Sequence, residues 1–179
     1  MEARREAYEA CADIVVDVDD RGMEDILEKI MEEIDKMKLL VINGPNINFL
    51  GIREKNVYGS QDYQYLLDII QKKAEETGSR IEVFQSNHEG AIIDRIQEAY
   101  FDGTEGIVIN PGAYTHYSYA IRDALASITV PKVEIHISDI TAREEFRKVS
   151  VTAPVCDTQI YGKGLEGDLM AIDHILNKV

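Results

Sequence analysis

From Lys38 onward, short runs of valine, isoleucine and leucine alternate with segments whose apolar residues recur every three or four positions. The runs at 38–43, 80–85, 105–110, 131–136 and 155–161 read as strands. The segments at 62–77, 89–102, 117–127 and 165–177 read as helices, with a short helical turn near 142–147. Gly78 and Gly103 stand where helix C-terminal caps belong, and Ser86-x-x-Glu89 fits a capping box opening the second of these helices. Near-continuous apolar strands with short polar links predict a parallel sheet covered on both faces. Five strands and four helices in about 140 residues predict a flavodoxin-like α/β fold with strand order 2-1-3-4-5.

Residues 1–37 follow a different pattern. Glu24 to Met37 places Ile26, Leu27, Ile30, Met31 and Ile34 on one face of an amphipathic helix. A segment from Tyr8 to Val18 reads as a second helix or a frayed tail, and Asp17 to Gly22 as the turn between them. The expected organisation is an acidic helical extension, 1–37, followed by a flavodoxin-like domain, 38–179.

Composition narrows the partners. The chain has 179 residues and a formal net charge of −14. Thirteen acidic and five basic residues fall within 1–37, so the extension carries more than half of that excess. Such a charge argues against nucleic acid or an anionic membrane as partner, since both require basic patches. A few arginines in a cleft can still receive a small anionic substrate. No apolar run is long enough to cross a bilayer and no secretion signal is visible. The two cysteines, Cys11 and Cys156, show no CxxC spacing, so a reduced cytoplasm is expected and a zinc site is not.

In this strand order the switch point lies between strands 1 and 3, where open α/β sheets bind ligands at the carboxyl ends of their strands. Loops 43–59, 110–116 and 136–142 meet there. The first, Asn43-Gly-Pro-Asn to Tyr58-Gly59, matches neither a GxGxxG nor a Walker loop. It reads better as a lid hinged near Gly51 and Gly59 that carries Arg53 and Tyr58, with Asn46 at its base. An arginine beside a phenol favours the phenolate. A packed tyrosine and a solvated arginine fit this loop alone equally well. In the second loop, Asn110 at the strand edge offers amide groups and His116 sits at a helix start, where both also fit capping roles. In the third, alternation puts Glu134, His136 and Ser138 on one side of the strand. A buried acid needs a partner, and a carboxylate beside an imidazole orients it for proton donation. Arg143 and Arg147 follow, one helical turn apart. Cys156 with His174 is a weaker, thiol-based candidate pair, and Asp168 and Asp173 read as a solvated helix face.

Taken together, NGPN…LG-x-RE…YG (43–59), QSNHEG (85–90), NPGAYTH (110–116), EIHIS (134–138) and AREEFR (142–147) resemble the type II 3-dehydroquinate dehydratases, in order and spacing, from Lys38 to Val179. The resemblance implies dehydration of 3-dehydroquinate to 3-dehydroshikimate through an enolate, without metal, cofactor or Schiff base, in the shikimate pathway or quinate catabolism. By position, Tyr58 matches the base that takes a proton beside the ketone, and Arg53 its partner. Asn46 matches the residue serving the enolate oxygen, and His136, oriented by Glu134, the acid for the departing hydroxyl. Asn110, Ile137 and Ser138 match the carboxylate site, while His116 and Arg147 match ring-hydroxyl partners. Asp123 matches a residue reaching the site from a neighbouring subunit of a trimer, with trimers grouped into dodecamers.

Two positions depart from that pattern. Asp139 stands where asparagine is usual, adding charge near the expected substrate carboxylate, and Lys55 stands where proline is common. Lys132, at the N-terminal end of its strand, is poorly placed for imine chemistry. The rival expectation is a non-catalytic flavodoxin-like module that binds a small ligand or a protein without turnover.

Overall fold

In the computed structural model the described residues are 15, 16, 18, 22–34, 36–52 and 61–178. The chain divides into two compact units, Met1–Lys36 and Met37–Val179. In the first, helix α1 spans Met23–Ile34, with Glu24 and Asp25 in its first turn, where negative charge suits the helix dipole. The second helix expected before it, and most of the turn at Asp17 to Gly22, lie outside the described residues.

The second unit holds strands β1 (Lys38–Asn43), β2 (Arg80–Gln85), β3 (Gly106–Asn110), β4 (Lys132–His136) and β5 (Thr158–Tyr161) in one parallel sheet of order β2-β1-β3-β4-β5. Helices α2 (Tyr63–Thr77), α3 (Glu89–Glu98), α4 (Tyr119–Ala126) and α5 (Glu166–Leu176) connect and cover it. This is the flavodoxin-like fold that the hydrophobic pattern predicts.

Alternation along β1 explains the two layers. Leu39 and Val41 join Leu66 and Ile70 of α2 and Ile172 and Ile175 of α5 in one core. Leu40 and Ile42 point the other way, into a core with Ile92 and Ile96 of α3 and Ile121 and Leu125 of α4. Each fully buried leucine or isoleucine contributes about 1.5–3 kcal/mol of transfer free energy. A strand that must feed both layers has no polar face, so β1 reads as an unbroken apolar run.

Element ends deviate from expectation for local reasons. Helix α3 stops at Glu98 rather than 102. Beyond it, Asp102 accepts from the Thr104 amide and hydroxyl and pairs with Arg95 and Lys38, which turns the chain. The capping box at Ser86 does not form: Ser86 Oγ accepts from the His88 amide, and His88 is the cap residue. Helix α4 starts at Tyr119 because Ser118 caps it, accepting from the Ile121 amide at 2.9 Å. His116 therefore ends a separate 3-10 turn, Gly112–His116, instead of opening the helix. The turn near 142–147 resolves into two 3-10 turns, Ile140–Ala142 and Glu145–Arg147. Strand β5 begins at Thr158, since Ala153–Val155, with Pro154, form a further 3-10 turn. Gly78, at φ 64°, caps α2 as expected.

Candidate active site

A cavity of about 270 Å³ opens at the carboxyl ends of β1, β3 and β4. Its walls come from 45–50, from 110–116, and from 136–140 with Arg143 and Arg147. The three loops that the switch point singles out therefore do meet in one place. Asn46, Asn110, His116, His136, Ile137, Ser138 and Arg147 all line the cavity.

The loop after β1 reaches this wall through close backbone contact. A Cβ on Gly44 would lie 2.7 Å from the carbonyl carbon and oxygen of Pro111, so only glycine fits. The Gly44 amide donates to the Asn110 carbonyl at 2.8 Å, closing the seam between the two loops. Asn46 sits in the left-handed region at φ 67°, a conformation asparagine tolerates better than most residues. Its amide donates to Asn87 Oδ1 at 3.0 Å, and Tyr114 Oη donates to the Asn87 carbonyl at 2.9 Å. Asn87, inside the QSNHEG segment, is thus a positioning residue that sequence reasoning did not single out. Gly51, at φ 78°, packs against Asp62, the cap of α2; a Cβ there would lie 2.7 Å from Asp62 Cβ. Close packing accounts for Gly51 where a hinge was expected.

Strand β4 supplies a buried acid and an imidazole. Val133 and Ile135 face the α2/α5 core, so Glu134 and His136 face the other way. Glu134 is fully buried and His136 nearly so. His136 Nε2 lies 2.8 Å from Glu134 Oε1. Burial pushes the Glu134 carboxyl up. Hydrogen bonds from His136, Thr152 and Gln159, together with the imidazole charge, outweigh burial and hold it below the usual carboxylate range. An ionised carboxylate only accepts, so Nε2 carries a proton and Nδ1 is the ring nitrogen left for exchange.

A cavity with this dyad, two arginines and two asparagines at the carboxyl end of a doubly wound sheet suits an anionic polyol undergoing proton transfer. The class II dehydroquinase family model matches residues 37–176. The chain belongs to the class II dehydroquinase family. Over 141 residues it is 69% identical to a 3-dehydroquinate dehydratase of Lachnoclostridium phytofermentans, covering 79% of this chain and 97% of that one. The type II dehydroquinase of Butyrivibrio crossotus superposes with a TM-score of 0.77 at 64% identity, over 79% of this chain and 98% of its own. The Propionibacterium acnes type II dehydroquinase gives 0.75 at 39% identity, over 80% and 99%.

The dehydroquinase positions fall as follows. Arg53, Lys55 and Tyr58 lie outside the described residues. Asp123 is exposed on α4 and does not line the cavity of the single chain. Arg143, alongside Arg147, is a lining residue; Arg147 stacks on Phe146, its Cζ 5.2 Å from the ring centroid. Asp139 does not line the cavity. Its Oδ1 caps the Ile140–Ala142 turn, accepting from the Thr141 amide and hydroxyl at 2.8 and 2.6 Å, and these bonds lower its pKa.

Other candidates lie elsewhere. The Cys156 thiol is pushed up to about 12, first by burial and then by the Glu134 charge, and it is outside the cavity. Thiol catalysis with His174 finds no support. Lys132 is buried at the N-terminal end of β4, its Nζ donating to the Ile128 and Val130 carbonyls. Among the described residues no lysine lines the cavity. Asp168 departs from expectation: it is fully buried, not solvated. Its packing face in α5 and a solvent face share the same helical spacing, so periodicity alone misplaces it. Asp173 does meet solvent, paired with Lys73.

Proposed function

We propose that this chain is a 3-dehydroquinate dehydratase, a hydro-lyase that eliminates water from 3-dehydroquinate to give 3-dehydroshikimate. The observation that carries the reading is the buried His136–Glu134 pair in the wall of a cavity lined by Asn46, Asn110, Arg143 and Arg147. Membership of the dehydroquinase family supports it over a module that binds without turnover.

Elimination beside a ketone needs a base for the α-proton, charge stabilisation at the enolate oxygen and an acid for a poor leaving group. Tyr58 takes the proton as phenolate, which Arg53 favours. Asn46 serves the enolate oxygen, directly or through a water. His136 delivers its Nδ1 proton to the departing hydroxyl, and the imidazolium that precedes transfer is stabilised by the Glu134 carboxylate. The proton taken by Tyr58 and the proton given by His136 balance as the carbon–oxygen bond breaks and water leaves. Asn110, Ser138 and the Ile137 and Ser138 amides receive the substrate carboxylate, and His116 and Arg147 receive ring hydroxyls. Asp123 completes the site of a neighbouring subunit in a trimer, and four trimers form a dodecamer. The proposed setting is the cytoplasm.

The test is the rise of conjugated-enone absorbance when purified protein meets 3-dehydroquinate, with no trapping of substrate on the protein by borohydride. Tyr58→Phe should lower kcat about 10²–10⁴-fold, the range for loss of a general acid or base. Saturable binding with no absorbance change contradicts the dehydratase reading, and a borohydride adduct contradicts the imine-free route.

A further inference from the structure

Glu134 is anionic and fully buried, yet among the described residues neither lysine nor arginine pairs with it; besides the His136 imidazole, its hydrogen-bond partners are hydroxyls and one amide. Thr115 Oγ1, Ser150 Oγ and Gln159 Nε2 lie 2.9, 2.8 and 2.7 Å from Oε1. Thr152 Oγ1 donates to Oε2. These donors come from three parts of the chain: the 3-10 turn after β3, the segment before β5, and β5 itself, where Gln159 stands in register beside Glu134. A buried charge is costly unless its lone pairs are filled, and one imidazole leaves most of them open.

We propose that Thr115, Ser150, Thr152 and Gln159 are positioning residues for the proton donor. They hold Glu134 ionised and in one rotamer, which keeps His136 Nε2–H on the carboxylate and leaves Nδ1 for the leaving hydroxyl. The proposal rests on the dehydratase reading for its catalytic consequence, while the hydrogen-bond arrangement itself does not depend on substrate. The same residues fasten the arginine-bearing segment to the dyad. The Val151 amide donates to the Thr115 carbonyl, and His116 Nδ1 meets the Val149 carbonyl, each at 2.8 Å. Arg147 is therefore anchored, two residues on, to the structure that orients the acid.

The hydroxyls are not equivalent. Oε1 has four donors within reach and Oε2 has only Thr152 among the described residues. Thr115 has one proton and three acceptors within 3.0 Å: Glu134 Oε1, Ser150 Oγ and Thr152 Oγ1. It can turn to fill a gap at Oε1. At Oε2 no such reserve exists, so Thr152 is the critical hydroxyl.

Steady-state kinetics of the full-length chain separate this role from packing. Thr152→Val, close in shape but without the hydroxyl, should lower kcat about tenfold with KM within about twofold, whereas Thr152→Ser should stay within about twofold of wild type. Ser150→Ala should lower kcat by a smaller factor, about threefold, because Thr115 can substitute. In nitrogen-15-labelled protein without substrate, the His136 Nε2–H resonance should be visible and shifted downfield in the wild type and weakened in Thr152→Val. Wild-type kcat in Thr152→Val, or a serine variant as slow as the valine one, overturns the proposal. If Thr152→Val does not fold, an unchanged kcat in Ser150→Ala overturns it. A wild-type protein that shows the Nε2–H resonance but no turnover fails the dehydratase reading and not the hydrogen-bond arrangement.

Discussion

At the residue scale, two aspartates show how little charge alone says about role. Asp139 puts a carboxylate one residue beyond Ser138, which on sequence grounds should oppose an anionic substrate. Its oxygen is committed to Thr141 and the group is exposed, outside the cavity lining. Solvent screening reduces such a charge to a small effect. Asp139→Asn is therefore expected to change KM for 3-dehydroquinate by less than about twofold, read from saturation kinetics. Asp168 behaves oppositely. Among the described residues neither of its buried oxygens has a partner, and burial pushes its carboxyl up to about 7. Its folded pKa exceeds its unfolded one, so the penalty is absent below about pH 4 and complete above about pH 7. Stability falls as pH rises through that window. Asp168→Asn should raise the unfolding free energy at pH 8 by about 2–4 kcal/mol and leave it near wild type at pH 4, measured by urea denaturation.

At the element scale, the site depends on how tightly β1 and β3 deliver their loops. Gly44 has Pro111 backbone where a side chain would begin. Gly44→Ala must push the 110–116 loop away, with a stability loss of about 1–3 kcal/mol. The displaced Asn110 and His116 should cost kcat/KM at least about tenfold, checked by kinetics on the folded fraction. The glycine's position before Pro-Asn was legible in the sequence, but its reason was not, because close approach of two loops distant in sequence leaves no local signal. The strands themselves were legible, since a sheet buried on both faces makes runs such as Leu39 to Ile42 apolar throughout. The pairing of Glu134 with His136 was legible as well, because strand alternation is strict. Ser150 and Thr152 were not, as the 3-10 turns and irregular chain between Ile140 and Val155 carry no period to read. Thr115 lies inside a noticed motif, yet only the folded turn shows its hydroxyl meeting Glu134. Gln159 could have been found: strand order and register set it beside the buried acid.

At the scale of the whole molecule, the dehydroquinase family match, residues 37–176, falls within the second unit. The Lachnoclostridium relative is matched over 97% of its length by 141 residues of this chain, so a dehydroquinase of that size has no counterpart to most of residues 1–36. Removal of residues 1–36 should leave a folded protein with kcat within about twofold of the full chain. Light scattering on both forms reads the assembly, and a mass of twelve subunits is the expected result for each. An inactive but folded truncated protein would instead give the acidic extension a part in the site.

The central claim is that His136, held by Glu134, donates the proton that lets the hydroxyl leave. His136→Ala, assayed with 3-dehydroquinate by enone absorbance alongside equilibrium binding, tests it most directly. The account predicts a kcat reduced about 10²–10⁴-fold with substrate still bound at near wild-type affinity. A variant that turns over at the wild-type rate would contradict it.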